Sequence, residues 1–469
     1  MIEAFQNIFR IPDLRKRVIF TFLLLAVYRV GAQIPTPGID ALALQEFFKQ
    51  YASGVLGFVN LFSGGALARC TIFALGIMPY ITASIIFQLL GVVWPYIEKL
   101  QKEGGAEGRK KITQYTRYAT ILICIVQAAG ISVWLKNLVA PGTGHRIVPN
   151  PGLWYHISVV IILTAGSVFV MWLGEQITAR GIGNGISLMI FAGIVVGLVP
   201  AIVKTFQKWA QGDLNLFVIV ILMAFMLAVV AFIVYFERAQ RKIPIQYAKR
   251  MVGRRMVGGT AVFFPLKLNP GGVMPIIFAV SLLAVPQTIL QLPALSQYEW
   301  ARTLASYFGY GSLTYLALYA VLIVLFAYFY ISIVFNPDDM ADNLKKYGGF
   351  IPGIRPGKST SDFLYRSLNR LLFAGSIYLV IVALLPVMLI SGLPLQHIWG
   401  IGPSIENFLK AAHFDWILRG FSLDFYFGGT SLLIVVGVAM DTLQQIESQL
   451  VMRNYEGFSR RSRLRGRRG

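Results

Sequence analysis

The residue types that most often carry out chemistry are few in this 469-residue chain and are poorly spaced for it. The two cysteines, Cys70 and Cys124, match neither a disulfide framework nor a metal site. The four histidines are scattered without ligand spacing, and no P-loop or other catalytic motif occurs. We therefore predict a protein that is not an enzyme and uses no metal and no cofactor.

Carboxylates are also almost missing from the long apolar stretches of the chain. Glu175 and Glu237 fall at the ends of such stretches, and Asp441 lies near the end of the last one. An ion-coupled transporter usually buries carboxylates or histidines as relays. A secondary transporter with inverted repeats remains the main alternative. An intramembrane protease would need catalytic residues within these stretches, and the sequence has no candidates.

Recurring isoleucines offer a different kind of function. The segment Gly76–Ile81 parallels Gly272–Ile277, and Gly185–Ile190 parallels Gly429–Ile434. Each copy ends in isoleucine, and a constriction of aliphatic side chains can exclude hydrated ions without coordinating anything. Such a path suits a substrate of variable chemistry, such as an unfolded polypeptide. Taken singly, each isoleucine is better explained by lipid contact or helix packing.

Ten apolar stretches must position these residues, each about as long as the roughly 17–25 residues that a spanning helix needs. They lie at about 18–34, 75–97, 118–135, 156–174, 185–203, 215–236, 271–292, 313–335, 370–391 and 426–446. Because lipid offers backbone groups no partners, we predict helices. Both repeats are offset by five stretches, so the second copy is inverted in the membrane.

The predicted fold is therefore an all-α polytopic membrane protein of two inverted five-helix halves around a central pore. The halves cover 1–204 and 205–446, and a basic tail covers 447–469. The first stretch also has features of a secretory signal, but we favour an uncleaved helix whose Arg29 reaches toward an interface.

The formal charge is +21, and its distribution sets the predicted orientation. With the N-terminus inside, roughly three quarters of the 42 Lys and Arg residues fall on the inner side, which places both termini in the cytoplasm. The inner loops 237–270 and 336–369 are both basic. A basic inner face suits anionic lipids, nucleic acid or an acidic partner.

Five segments carry a family resemblance: "FSGGALARCTIFALGIMPYI", "EGGAEGRKKITQYTRY", "MWLGEQITARGIGNGIS", "FNPDDMADNLKKYGGFIPGIRPGKST" and "FYFGGTSLLIVVGVAMDTLQQIESQL". They resemble the bacterial SecY family, the channel subunits of the general protein-secretion translocon, in order along nearly the whole chain. The resemblance implies a channel in the bacterial cytoplasmic membrane for nascent secretory polypeptides and their signal sequences, with sideways release of transmembrane segments into lipid. It also implies the small subunits SecE and SecG, the SecA motor ATPase and the ribosome as partners.

The resemblance implies a plug, a short helix at about 60–73 that stops the resting pore, although a re-entrant or interfacial linker is the alternative. Its residues include Phe62, Ser63, Gly64, Gly65, Ala68, Arg69 and Cys70. It also implies a pore ring below the plug, made of Ile77, Ile81, Ile186, Ile190, Ile277 and Ile434.

A lateral gate is implied between the second and third spans on one side and the seventh and eighth on the other. Its polar residues Thr82, Gln127 and Ser281 are either gate latches or ordinary interhelical hydrogen bonders.

For docking, the resemblance implies that Arg254 and Arg255 meet ribosomal RNA phosphates or the motor, and that Arg355 contacts a partner. The segments "IPIQYAK" and "AVFFPLKL" are predicted to pair as a hairpin, in which Pro244 and Pro265 argue against a central strand. The outer connection at 391–425 departs from the family pattern and predicts an amphipathic helix near 404–419.

Overall fold

The computed structural model describes most of the chain. The described residues are 11–50, 60, 63–102, 104–138, 146–212, 216–247, 250–252, 255–257, 261–290, 298–309, 312–391 and 429–461. Contacts divide the chain into two units. Unit 1 comprises Met1–Phe206, Ala284–Ser306 and Val438–Gly469, and unit 2 comprises Gln207–Leu283 and Tyr307–Gly437. The outer insert, with its expected helix near 404–419, lies outside the described residues.

Helices make up most of both units, as the apolar stretches predict. In chain order they are α1 (Pro12–Gly31), α2 (Ala41–Gln50), α3 (Met78–Val93), α4 (Pro95–Lys102), α5 (Gly105–Lys136), α6 (Leu153–Arg180), α7 (Gly185–Ala210), α8 (Leu216–Arg238), α9 (Met274–Leu290), α10 (Glu299–Tyr307), α11 (Leu313–Val334), α12 (Pro337–Lys346), α13 (Lys358–Ser391) and α14 (Gly429–Arg461). The ten predicted spans correspond to α1, α3, α5, α6, α7, α8, α9, α11, α13 and α14.

Length and apolarity alone identify fewer spans. Six helices in the described part of the chain are long and apolar enough to cross a membrane, or seven if α3 and α4 form one bent span. In α1, Arg17 and Arg29 bracket a short uncharged stretch, so this helix does not pass such a test. The predicted spans and the helices therefore agree in position, while charged residues at both ends of α1 keep that span below a hydropathy criterion.

Several span ends differ from their predicted positions. The second span ends at Val93 rather than near 97, and the chain turns by 105° into α4. Pro95 explains the break, because it removes an N–H donor and restricts the residue before it. The last helix continues to Arg461, well past the predicted end at 446. Polar residues such as Gln, Glu and Arg favour a helix about as well as Leu does. The end of an apolar stretch therefore marks where the chain leaves the bilayer and not where the helix ends.

Both internal repeats recur as matching local conformations. Gly76 has φ +57° and Gly272 has φ +56°, and the helices that follow begin at the equivalent residues Met78 and Met274. In the other pair, Gly185 and Gly429 both lie in helices, in α7 and α14. The left-handed φ explains the glycine shared by the first pair, because a Cβ at that conformation is strained. The match in sequence thus reflects a match in backbone structure.

Unit 2 contains a small sheet formed by two separate loops. Strand β1 (Gln240–Tyr247) pairs antiparallel with β4 (Ala261–Lys267), and a second hairpin joins β2 (Arg250–Val252) to β3 (Arg255–Val257). The two-residue strand β5 (Gly349–Phe350) pairs with β1 on its other side. The predicted hairpin is therefore confirmed, and it connects the loop 237–270 to the loop 336–369.

The expectation that Pro244 would keep its strand out of the centre is wrong, since β1 is the middle strand of β4-β1-β5. The physical reason is the shortness of β5. It reaches only Gln246 and Tyr247, so at Pro244 strand β1 has a partner on one side alone. A proline is tolerated at such an edge position.

The sheet rests on an apolar core that includes two spans. Ile243 and Leu266 of the sheet are buried against the sheet-side turns of α11 and α13. The core residues are Ile243, Leu266, Ala327, Ile331, Ile351, Leu364, Leu368 and Leu372. Burial of this many aliphatic side chains fixes the sheet to the helices, since each contributes about 1.5–3 kcal/mol when fully buried.

Candidate functional site

The segment expected to be a plug helix is a series of turns between Ser63 and Gly76. The expectation of a helix is wrong for these residues, and Phe62 lies outside the described residues. Gly64 has φ +66° and Gly65 has φ +84°, conformations that interrupt a right-handed helix. The chain is instead held by side chains within the segment and by its neighbours.

Asn60 and Ser63 organise these turns from within. The Asn60 carbonyl accepts from the Gly65 N–H at 2.9 Å and from the Ser63 hydroxyl at 2.9 Å. The Asn60 side-chain Oδ1 accepts from the Ala68 N–H at 2.8 Å, and Ser63 Oγ accepts from the Leu67 N–H at 3.2 Å. Side-chain acceptors thus replace the missing helical hydrogen bonds, as they do in Asx and Ser/Thr turns.

The end of α1 holds the same turns from outside. Arg29 Nη1 donates to the Gly64 carbonyl at 3.2 Å, and the Tyr28 hydroxyl donates to the Ser63 carbonyl at 3.4 Å. The Tyr28 ring also stacks on Phe73 with a centroid distance of 6.0 Å. Arg29 therefore binds this segment, where the sequence predicted an interfacial position. The sequence offered no signal for Tyr28, since its partner is a main-chain carbonyl 35 residues away.

Beyond these turns the segment runs beside the chain that follows α1. The Thr36 N–H donates to the Cys70 carbonyl at 2.9 Å, and the Ile72 N–H donates to the Ile34 carbonyl at 3.1 Å. The exposed Arg69 donates to the Gln33 side chain. Cys70 is 1% exposed, and burial raises the pKa of its thiol to about 12. This thiol is therefore protonated and unreactive near neutral pH.

Two spans of unit 1 approach the segment closely. A Cβ at Gly64 would lie 2.9 Å from the Gly193 Cα of α7, and a Cβ at Gly76 would lie 3.6 Å from the Ser63 Cα. The Ser63–Gly64 turn therefore lies against Gly76, just before α3, and against the middle of the fifth span. Only glycine at position 64 permits both the left-handed backbone and this approach.

Four of the expected ring residues lie on these two spans. Ile77, Ile81 and Ile190 are each at most 4% exposed, while Ile186 is partly buried. Along α7, Ile190 precedes Gly193 by three residues, about 4.5 Å of rise. Along the second span, Ile81 follows Gly76. Ile81 and Ile190 are therefore both buried within five residues of a glycine, Gly76 or Gly193, that approaches the Ser63–Gly64 turn.

Ile186 differs from the other three. A Cβ on Gly174 of α6 would lie 3.5 Å from its Cγ1, so Ile186 packs beside the fourth span. Its part in a ring stays a prediction.

The remaining two ring residues belong to unit 2. Ile277 is 2% exposed and Ile434 is fully buried. The seventh and tenth spans pack tightly nearby, since a Cβ on Gly437 would lie 2.4 Å from Val273 Cγ1. Ile277 follows Val273 by four residues and Ile434 precedes Gly437 by three. Each isoleucine is therefore about one helical turn from this contact, about 4.5–6 Å along its own helix axis.

Two of the expected gate residues bond within their own helices. The hydroxyl of Thr82 donates to the Met78 carbonyl at 3.1 Å, and that of Ser281 donates to the Ile277 carbonyl at 2.7 Å. The choice between a gate latch and an interhelical hydrogen bonder stays a prediction for these residues. Gln127 is partly buried on α5.

The expected docking arginines lie at the loops that the sheet joins. Arg255 begins β3, and Arg254 lies outside the described residues. Arg355 is exposed in the connection between β5 and α13, where its carbonyl accepts from the Thr360 hydroxyl at 2.9 Å. Across the described residues, no group of three or more His, Cys, Asp or Glu side chains is placed to hold a metal.

Comparisons with known proteins agree on one family. The SecY family model matches residues 71–443. The chain is 47% identical to the protein translocase subunit SecY of Streptomyces griseus, over 98% of this chain and all of that protein.

Two solved structures share the fold. One is a SecY protein whose plug domain stabilizes the closed state of the translocation channel and maintains a membrane seal, with a TM-score of 0.62, 21% identity, and 93% of this chain and 92% of that chain covered. The other is Sec61 in the canine ribosome–channel complex from the endoplasmic reticulum, with a TM-score of 0.59, 19% identity and the same coverage.

Proposed function

The chain belongs to the SecY family, and from this membership we propose that it is the protein-conducting subunit of a protein translocase. It is a multi-pass membrane protein that catalyses no reaction. It passes unfolded secretory polypeptides across the bacterial cytoplasmic membrane, with both termini in the cytoplasm. The energy for movement comes from its partners or from the membrane potential.

One observation carries the gating part of this proposal. The Ser63–Gly76 segment leads into α3, and its Gly64 packs against Gly193 of α7. Its turns accept hydrogen bonds from α1, and its Leu67, Cys70, Ala74 and Leu75 are buried in an apolar cluster with residues of α2, α5 and α6. We assign this segment the role of a plug, whose displacement by a substrate breaks the polar contacts with α1 and uncovers these apolar side chains.

Sealing is assigned to the six isoleucines. Aliphatic side chains offer no ligands, so a narrow ring of them stops ions by dewetting and makes no chemical demand on a passing chain. A sufficiently apolar segment of that chain leaves sideways into lipid, at roughly 25 cal/mol per Å² of apolar surface. The lateral gate lies between the second and third spans and between the seventh and eighth, with Thr82, Gln127 and Ser281 on its helices.

Partners dock on the loops that the small sheet unites. Arg254, Arg255 and Arg355 belong to these loops by sequence and carry positive charge, which suits ribosomal RNA phosphates and the SecA motor. The sheet core supports this assignment, because it anchors both loops to α11 and α13. SecE and SecG are the expected membrane partners, and anionic lipids the expected surface for the basic tail.

A crosslinking experiment tests this function. A photoreactive amino acid at Ile81 or Ile277 should crosslink to a secretory chain stalled during translocation. The same probe at Ile86, which is 41% exposed on α3, serves as the matched control and should stay unlinked. Equal crosslinking at the exposed and the buried positions would contradict a polypeptide path along these isoleucines.

A further inference from the structure

A buried carboxylate lies at the junction between the sheet and the seventh span, all within unit 2. Glu237, at the end of α8, is 8% exposed, and Asn269 is 3% exposed. Asn269 Nδ2 donates to Glu237 Oε1 at 2.8 Å and to the Gly272 carbonyl at 3.0 Å. One side chain thus ties the end of the sixth span to the start of the seventh.

The chain between the sheet and the span is short at this point. Strand β4 ends at Lys267 and α9 begins at Met274. Asn269 lies between them, and its carbonyl also accepts from the Gly272 N–H at 3.4 Å. Since Gly272 has a left-handed φ of +56°, the turn depends on these bonds for its shape. The side chain and the main chain of Asn269 together set the direction in which α9 leaves the sheet.

Other contacts hold the same junction against neighbouring helices. The Leu268 N–H donates to the Ala239 carbonyl at 2.9 Å, and Gly375 of α13 approaches closely, so that a Cβ there would lie 2.7 Å from the Leu268 carbonyl oxygen. Next to Glu237, the Phe236 ring stacks on Tyr378 with centroids 3.8 Å apart. The end of α8 is therefore fixed to α13, and Asn269 is fixed to the end of α8.

A carboxylate acceptor makes this link stronger than a neutral one. Hydrogen bonds to charged groups are shorter and roughly twice as strong as neutral ones, and a low local dielectric strengthens them further. Burying a charge is costly unless it is bonded, so the Glu237–Asn269 contact is expensive to break. A contact of this strength can transmit a displacement of the sheet to α9, because it does not break when the sheet moves.

We propose that Glu237 and Asn269 are positioning residues that couple the sheet to the seventh span. Displacement of the sheet by a docked partner then moves the start of α9, and with it Ile277, one turn beyond Val273. This inference rests on the proposed docking function of the sheet, and it adds the route by which docking reaches the pore ring.

The experiment separates docking from coupling. A fluorophore sensitive to its environment is attached to L282C, in a chain whose native Cys70 and Cys124 are replaced by alanine. Leu282 is 41% exposed on α9, so the label perturbs packing little. Ribosome binding is measured by co-sedimentation, and the emission change on binding reports movement of α9.

We expect E237A to bind ribosomes as the unsubstituted chain does. Its emission change on binding should be about tenfold smaller than that of the unsubstituted chain, because the bond from Asn269 to a charged acceptor is gone. E237Q keeps an acceptor oxygen for Asn269 and should retain most of the change. S361A is the matched control, since it removes a 2.6 Å bond to Asp338 in the same unit but away from the junction. It should behave as the unsubstituted chain.

The outcomes differ for the two claims. Full emission change in E237A with normal binding overturns the coupling. Loss of the change in S361A as well shows a general loss of structure, and also overturns it. Failure of the unsubstituted chain to bind ribosomes overturns the docking function instead. If E237A does not accumulate in membranes, N269S replaces it with the same expectation, because its hydroxyl is too short to reach Glu237.

Discussion

The guanidinium of Arg29 donates a hydrogen bond to the main-chain carbonyl of Gly64 at 3.2 Å, so a cation of the first span binds the segment that we propose as the plug. A hydrogen bond that involves a charged group contributes about 1.5–3 kcal/mol. R29A should therefore raise the population of displaced plug by roughly tenfold or more. The measurement is the resting ion conductance of the reconstituted translocase in planar bilayers, which should increase.

Arg69 provides the matched control for this prediction. It belongs to the plug itself, is exposed, and bonds only the neutral Gln33 side chain among the contacts described here. An exposed hydrogen bond contributes little, so R69A should leave the resting conductance near that of the unsubstituted protein. If R29A and R69A conduct alike, the contact between Arg29 and Gly64 does not hold the plug.

Two neighbouring glycines allow the effect of backbone strain on the plug to be measured apart from the effect of its close contact with α7. Both Gly64 and Gly65 have positive φ, but a Cβ at Gly64 would lie 2.9 Å from Gly193 Cα, while nothing lies within 4 Å of a Cβ at Gly65. G65A should cost about 1–2 kcal/mol of backbone strain. G64A adds a backbone clash and should displace the plug further. The reporter is Cys70, whose burial keeps its thiol unreactive.

The rate of maleimide labelling of Cys70, in a C124A background, measures this displacement. Labelling should be slow in the unsubstituted chain, faster in G65A and fastest in G64A. The thiol pKa, raised by burial to about 12, should fall toward its ordinary value as the plug opens, so reactivity near pH 8 rises with exposure. Equal rates in G64A and G65A would mean that Gly193 does not limit the plug position.

The positions of the spans could be predicted from the sequence, but the contacts of the plug could not. Long apolar stretches identify helices because lipid leaves the backbone no alternative. The repeated glycines could also be recognised in the sequence, and Gly76 and Gly272 both adopt a left-handed φ. The bond from Arg29 to Gly64 joins a side chain to a main-chain carbonyl, and no pattern of residue types encodes such a partner.

Local chemistry accounts for the errors in the site. A helix was expected across the plug, but Asn60 and Ser63 compete for the backbone donors there. The gate roles of Thr82 and Ser281 stay predictions. The hydroxyl of each donates to a carbonyl four residues earlier, which any Ser or Thr in a helix can do.

The pore ring should fail when its aliphatic character is lost on both sides. Ile81 and Ile277 are 4% and 2% exposed, in unit 1 and unit 2. We expect I81N with I277N to leak ions and to accept weaker signal sequences, because amide side chains hold water in a constriction that otherwise dewets. The control, I81L with I277L, keeps the apolar volume and should conduct as the unsubstituted protein does. Unchanged conductance in the asparagine variant would contradict the ring.

Overpacking between the seventh and tenth spans, introduced by one substitution, should be relieved by a second substitution on the opposite span. G437A places a Cβ 2.4 Å from Val273 Cγ1, which is too close for two carbon atoms, so the spans must separate. Overpacking of this kind typically costs about 1–3 kcal/mol. Since Ile277 and Ile434 lie one turn away, the variant should leak. V273A removes the opposing methyl groups, and G437A with V273A should restore the seal and the melting temperature. A double variant no tighter than G437A alone would exclude this contact as the support of the two isoleucines.

Docking by the basic hairpin should depend on charge position and not on total charge. Arg255 begins β3, and Arg254 precedes it in the sequence. R254E with R255E should weaken ribosome binding and flatten its dependence on salt, as expected when phosphate contacts are lost. Lys110 and Lys111 are exposed on α5 in unit 1 and give the same change in net charge when substituted by glutamate. K110E with K111E should bind with nearly the original affinity and salt slope. Equal loss of ribosome affinity in the two double variants would contradict a docking site at the arginines. It would mean that the ribosome responds only to the total charge of the inner face, because a long-range electrostatic attraction does not depend on which basic side chains are removed.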